Sequence, residues 1–278
     1  MFAELELALV LFTTLSQLAV GLALLFGLCA VSSPASATTA AKPLWLGAFG
    51  LDWLPAIGLQ WLAAAAILSL ALLASLAHVS YPFESPRTIV ALSTSWLSRE
   101  VLVFGLLVAL MGVTALLGAR WLVLASAALA LVSLYVQSMV YSPPSYPALG
   151  SGLTFAIFLL TAVNLGAAAA AWFAPAGEQP LLRAVLIGSL CAALILFLAV
   201  PSMWTSGDTV MRLTAAAYFA SPFYWAHIIG GLALPLAVVV ATRRIPSWLP
   251  LLLLAGALCG RVVFCVDTVH SAANIGGF

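Results

Sequence analysis

Eight long apolar segments, separated by short polar breaks, restrict what this chain can fold into. A helix needs about 20 mostly apolar residues to cross the hydrocarbon core of a bilayer. Segments of that length lie at 6–31, 55–79, 97–118, 121–141, 151–173, 181–202, 222–241 and 247–268. The sequence therefore predicts an all-α transmembrane helix bundle with about eight spans, forming a single integral membrane domain over residues 1–278.

Charged residues are too few for a water-facing surface. Of the 278 residues, 65% are hydrophobic and 6% are charged, whereas a soluble domain is about 25% charged. This composition excludes a soluble catalytic domain and requires contact with membrane lipid. The net charge of +1 comes without a basic block, so no nucleic-acid partner is expected. The four scattered cysteines lack metal-ligand spacing and are predicted to be packing residues.

The positive residues indicate an orientation. An even number of spans puts both termini on one face of the membrane, which we call side A, and the opposite face is side B. The loops predicted on side B carry five positive residues, Lys42, Arg120, Arg183, Arg243 and Arg244, and those on side A carry three, Arg87, Arg99 and Arg212. Cytoplasmic loops are enriched in lysine and arginine, so side B is predicted to be cytoplasmic. Acidic residues before the first segment favour a retained span over a cleaved signal peptide.

Ionisable side chains at membrane depth are costly and usually have a partner or a function. His78 is predicted at the side A end of the second span, and Glu100 follows 22 residues later, about one turn into the third. A proline-containing loop could bring the two together, and such a pair can hydrogen-bond a hydroxyl group and accept its proton. The alternatives are structural: Glu100 as a helix N-terminal acid or as the ion-pair partner of Arg99, and His78 as a satisfied polar residue at a helix end.

Other polar residues in the spans have structural interpretations as well. Arg261 lies six residues before Asp267, which favours an ion pair between them over a substrate role. Gln17 is expected to hydrogen-bond to a neighbouring helix. His227 follows a run of aromatic residues typical of the membrane interface, and His270 is expected to be solvated.

Two segments resemble the paired motifs of the membrane anchor subunit of dimethyl-sulfoxide reductase. Residues 78–82, HVSYP, resemble the family's His-Leu-Gly-x-Pro segment, and residues 95–102, SWLSREVL, resemble its Ser-Trp-Leu-Ser-Arg-Glu segment at a similar spacing. Weaker matches at 12–21, 140–141 and 260–264 extend the resemblance along the chain. The sequence departs from the family pattern at Ser80, Glu84 and Met139.

The resemblance implies a function in anaerobic respiration. Such an anchor holds a molybdopterin catalytic subunit and an iron–sulfur electron-transfer subunit to the bacterial inner membrane, with both termini on the periplasmic side. It oxidises menaquinol and passes the electrons to the iron–sulfur partner. The resemblance further implies that His78 and Glu100 carry the quinol site and that the chain itself holds no haem or metal. Arg261 and Gln17 are predicted to shape the quinol pocket.

Two other classes of membrane protein remain as alternatives. A small-solute transporter would be built from inverted repeats with broken helices at the midplane, but the ionisable residues here cluster near one face. A haem b electron carrier would need two histidines at matched depth, and His78 and His227 are both predicted near side A.

Overall fold

The computed structural model describes residues 7–32, 58–76 and 91–274, and it confirms the predicted membrane spans. Within these ranges there is no strand, and eight helices are long and apolar enough to cross a membrane. In chain order the helices are α1 (Leu7–Ser32), α2 (Gly58–Leu76), α3 (Trp96–Leu117), α4 (Arg120–Val140), α5 (Ser151–Ala170), α6 (Gln179–Trp204), α7 (Thr209–Ala220), α8 (Pro222–Ala241) and α9 (Leu249–Asp267). All except α7 are spans, and the sequence pattern did not predict α7, a short helix in the connection between α6 and α8.

Local signals fix the ends of α3. The Ser95 side chain accepts a hydrogen bond from the backbone N–H of Ser98 at the N-terminus of the helix, as expected of an N-cap serine. At the other end Gly118 has a φ of 64°, a left-handed conformation that glycine adopts without a steric penalty. Its N–H donates to the Thr114 carbonyl. Helix α4 starts at Arg120, so α3 and α4 form a tight antiparallel pair.

Helix α1 lies at the centre of the bundle. In its most apolar window 72% of residues are buried, more than in any other span, and it packs against α2, α4 and α5. Gly21 and Gly166 meet where α1 crosses α5, because a Cβ at Gly21 would lie 1.9 Å from the Ala162 carbonyl oxygen. Small residues allow such close backbone approach in membranes. The crossing places the polar residues of α1 inside the protein.

Two spans contain π-helical turns. Residues Ala226–Ala233 of α8 and Val263–Asp267 of α9 are π-helical. The two helices also cross closely, since a Cβ at Gly231 would lie 2.7 Å from the Cα of Gly256. π-Turns are rare and occur often at functional sites. Here they lie toward the side A end of both helices.

Contacts on side A join two connections and the segment that follows α9. The N–H of Ser271, beyond α9, donates to the Ser145 carbonyl between α4 and α5 at 2.8 Å. The Tyr218 hydroxyl of α7 is 2.9 Å from that of Thr268. On side B, Arg183 at the start of α6 donates to the carbonyls of Val239 and Thr242 at the end of α8, at 3.0 Å each. These contacts agree with the alternating direction of the spans.

Candidate functional site: a buried polar chain near side A

Glu100 is buried one turn inside α3, with 2% of its surface exposed. It is the fifth residue of the helix and lies beyond the turn in which carboxylates interact with free N–H groups. Arg99 does not pair with it, because that guanidinium donates to the carbonyls of Leu92 and Ser93 at 2.8 Å each and lies over the Trp96 ring. Both structural alternatives for Glu100 are therefore wrong.

The partner of Glu100 in the described structure is Gln137 of α4. A side-chain hydrogen bond joins the two, and Gln137 is completely buried. The other carboxylate oxygen, Oε1 of Glu100, is buried without a hydrogen-bond partner among the described residues. A buried acceptor without a partner is costly, and this atom marks the place where a donor from elsewhere would bind.

Gln137 continues the contact into α1. Its Nε2 donates to the Ser16 hydroxyl at 2.9 Å, and its Oε1 accepts from Gln17 Nε2 at 3.5 Å, a long hydrogen bond. Ser16 and Gln17 are both fully buried. The prediction that Gln17 bonds to a neighbouring helix is confirmed.

Gln17 in turn binds Arg261 of α9. The Nη2 of Arg261 donates to Gln17 Oε1 at 2.5 Å. The guanidinium lies over the rings of Phe158 and Phe264, 4.4 and 5.2 Å from their centroids. The predicted ion pair with Asp267 is wrong, because Arg261 faces the bundle interior, with 3% of its surface exposed, where Gln17 supplies the acceptor.

These four side chains form a directional series that we call the polar chain: Glu100, Gln137, Gln17 and Arg261. Arginine can only donate, so Gln17 must present its oxygen to it. The Gln17 amide then donates toward Gln137, and the Gln137 amide donates toward the carboxylate. An ionised carboxylate can only accept. The arrangement therefore joins a buried guanidinium to a buried carboxyl group through two amides that are polarised in the same direction.

A pocket of about 380 Å³ lies beside the side A end of the polar chain. Its lining includes Val140 and Tyr141, one helical turn beyond Gln137, and Phe264 and Cys265, one turn beyond Arg261. Residues three or four apart lie on the same helix face, so the pocket sits on the side A flank of these two members of the chain. Its size lies within the range of small-molecule sites.

The remaining histidines are in different surroundings. His78 lies outside the described residues, so its pairing with Glu100 stays a prediction. His227 is not at the interface as expected, because it is buried inside the bundle, where its Nδ1 is 2.8 Å from the Gly256 carbonyl. His270 is exposed, as predicted, and its ring lies 5.0 Å from that of Tyr146.

Gln137, the residue that connects Glu100 to the rest of the polar chain, was not predicted from the sequence. A signal existed, since Gln137 is an uncharged polar residue inside an apolar span, as is Gln17. The sequence did not indicate which helix either amide would face.

The fold and the polar chain together define a polytopic α-helical membrane protein in which two amides join a buried carboxyl group to a buried guanidinium near one face. No family model matches the chain, and no curated protein matches its sequence.

Proposed function

We propose that this chain is the quinol-oxidising membrane anchor subunit of a molybdopterin oxidoreductase complex. The observation that carries the proposal is the buried carboxyl group of Glu100. One of its oxygens accepts a hydrogen bond from Gln137, and the other, Oε1, has no partner among the described residues. A quinol hydroxyl is a donor that such an oxygen can accept. The sequence resemblance around His78 and Glu100 points to the same chemistry.

In the proposed reaction menaquinol enters from the lipid near side A. Its oxidation to menaquinone releases two electrons and two protons. Oε1 of Glu100 accepts one proton from a quinol hydroxyl, and His78 hydrogen-bonds the other quinol oxygen and leads the second proton away. The two electrons pass to an iron–sulfur subunit docked on side A. The terminal acceptor is reduced on a separate molybdopterin subunit.

The polar chain positions Glu100 for its proposed role as the base. Arg261 places a positive charge at the far end of the chain, and the two polarised amides orient donors toward the carboxylate. In this proposal Gln17 and Arg261 act through Gln137 as positioning residues, while the 380 Å³ pocket admits part of the quinol.

The proposed location is the bacterial inner membrane. The excess of positive residues on side B supports a cytoplasmic side B, and in this proposal both termini, Glu100 and the docked partners lie on the periplasmic face.

The test is Glu100→Gln in the assembled complex. The amide keeps the size of the side chain and removes the base, so menaquinol-dependent turnover should fall about 100-fold or more, as is typical for loss of a general base. Turnover and the binding of a quinone analogue are measured in membranes. Native gels verify that the partner subunits remain attached.

The matched control is Glu178→Gln. Glu178 is also a buried carboxylate, with 7% of its surface exposed, but it lies on side B at the start of α6. This variant should retain turnover close to that of the unmodified protein. Unchanged turnover and unchanged analogue binding in Glu100→Gln would rule out the proposed role.

A further inference from the structure

Arg261 has donors that the polar chain does not use. Its Nη2 binds Gln17, but Nε and Nη1 are buried without a partner among the described residues. Buried guanidinium donors without an acceptor carry a large desolvation cost. An acceptor is therefore expected next to them.

His227 has a buried ring nitrogen, Nε2, that can accept a hydrogen bond. Because the Gly256 carbonyl only accepts, the imidazole Nδ1 at 2.8 Å must carry the hydrogen. In the neutral ring Nε2 is then an acceptor, and it is buried without a partner among the described residues. The protonated ring would present a second donor toward the donors of Arg261, so the surroundings favour the neutral Nδ1–H form.

One small cavity is lined by both side chains. Thr161 adds a hydroxyl to its wall, and Ile157, Phe197 and Phe264 contribute apolar surface. The space open to the centre of a water-sized sphere is about 10 Å³, about the minimum that holds one water molecule. A buried water also needs two to four polar partners, and this cavity supplies them from Arg261, His227 and Thr161.

We propose that this cavity is a binding site for a single internal water molecule that bridges Arg261 and His227. The water accepts from the Nε–H or Nη1–H of Arg261 and donates to Nε2 of His227. The site makes His227 a positioning residue, because the water joins it to the guanidinium donors that Gln17 does not bind. The proposal does not rest on quinol chemistry.

The local backbone makes room for this site. His227 lies in the π-helical part of α8, and its ring packs flat on Gly260, where a Cβ would lie 2.8 Å from Nδ1. The ring also contacts Phe197 edge-on at 4.6 Å between centroids. Any larger residue at 260 would displace the imidazole from the cavity.

Water-edited solid-state NMR on the full chain in lipid nanodiscs tests the proposal. With ¹⁵N-labelled arginine, histidine and alanine, magnetisation should pass from water to the Nε–H of Arg261, and His227 should show the Nδ1–H tautomer with a hydrogen-bonded Nε2. The exposed Arg243 and Arg244 give the positive reference, and the buried amide of Ala19 gives the negative one. Absence of transfer to Arg261, or an Nε2–H tautomer, would overturn the proposal.

Two variants separate the water site from general packing. His227→Phe keeps a ring and removes the acceptor, so water transfer to Arg261 should be lost. His227→Gln restores an acceptor oxygen at the position of Nε2 and should restore the transfer. If water transfer to Arg261 is the same in His227→Phe and His227→Gln, His227 does not bind the water. The tautomer and transfer in the unmodified protein remain decisive if a variant fails to fold.

Discussion

Glutamine is suited to joining charges inside a membrane protein. Its amide both donates and accepts, so a glutamine can pass the polarisation of a cation to an anion that it does not touch. Gln17 and Gln137 do this between Arg261 and Glu100. Neither charge has an ionic partner within the described ranges, yet each has at least one hydrogen bond of matching direction. The stability of the two buried charges therefore depends on uncharged residues.

Replacing one amide should destabilise both ends of the polar chain. Gln17→Leu leaves the Nη2 of Arg261 and the Oε1 of Gln137 without their partner. The expected cost is about 1–3 kcal/mol of unfolding free energy, measured by reversible unfolding of the purified protein in mixed micelles. Gln137→Leu should cost a similar amount.

The double variant distinguishes a chain from two separate contacts. Residues of one network show non-additive effects of about 0.5–3 kcal/mol, so Gln17→Leu and Gln137→Leu together should cost less than the sum of the two. Asn164→Leu is the control, because Asn164 accepts from Ser189 at 2.6 Å in a separate polar contact. Its effect should add to that of Gln17→Leu. Additivity in both pairs would contradict a connected chain.

At the scale of helices, the position of the polar chain depends on the crossing of α1 and α5. Gly21 follows Gln17 by one turn on α1 and meets Gly166 on α5. The Phe158 ring, which lies under Arg261, belongs to the same α5. A wider separation of the two helices would pull Gln17 away from Arg261. Small residues at the crossing therefore serve the polar chain as well as packing.

Gly21→Ala should be strongly destabilising. The new Cβ would lie 1.9 Å from the Ala162 carbonyl oxygen, which is backbone and cannot rotate away. Overpacking of this kind costs about 1–3 kcal/mol or more, measured again as unfolding free energy.

Gly112→Ala on α3 is the matched control. A Cβ there meets nothing within 4 Å, and alanine in a helix interior is favoured over glycine by about 0.5–1 kcal/mol. The control should be neutral or slightly stabilised. Equal effects of the two substitutions would show that α1 and α5 are not in close contact.

At the scale of the whole molecule, the two ends of the bundle are built differently. The polar chain, the 380 Å³ pocket and the π-helical turns lie toward side A. On side B the described polar contacts tie connections together: Arg183 binds the end of α8, and the Trp172 indole donates to the Ser247 carbonyl at 2.8 Å. The described polar side chains, the pocket and the π-helical turns are therefore concentrated at side A.

The orientation of the bundle can be tested by thiol labelling in intact cells. In a cysteine-free background, Ser206→Cys on side A and Arg244→Cys on side B occupy exposed positions. The positive-inside rule predicts that a membrane-impermeant reagent reaches the first from the periplasm and the second only after permeabilisation. The reverse pattern would place side A, and with it the polar chain, in the cytoplasm.

The spans could be predicted because each is a local property of the sequence. In lipid a helix must satisfy its own backbone hydrogen bonds, so length and hydropathy suffice to mark it. The short helix α7 was missed because its mean hydropathy is low and it lies in a connection. The burial of Glu100, Gln17 and Arg261 could be expected from the cost of polar groups in lipid, but their partners could not. The sequence predicted Asp267, six residues away, as the ion-pair partner of Arg261, and that prediction was wrong.

The sequence by itself determined that this protein is an eight-span helical bundle, since apolar segments of that length have no other stable solution in a bilayer. Only the tertiary structure decided how its few polar side chains are paired. Gln17 bonds to residues 120 and 244 positions away, at distances in sequence that no periodic pattern encodes. The physical reason is that a buried polar group binds whatever donor or acceptor the packing of helices brings near it, and close glycine contacts at two helix crossings are part of that packing.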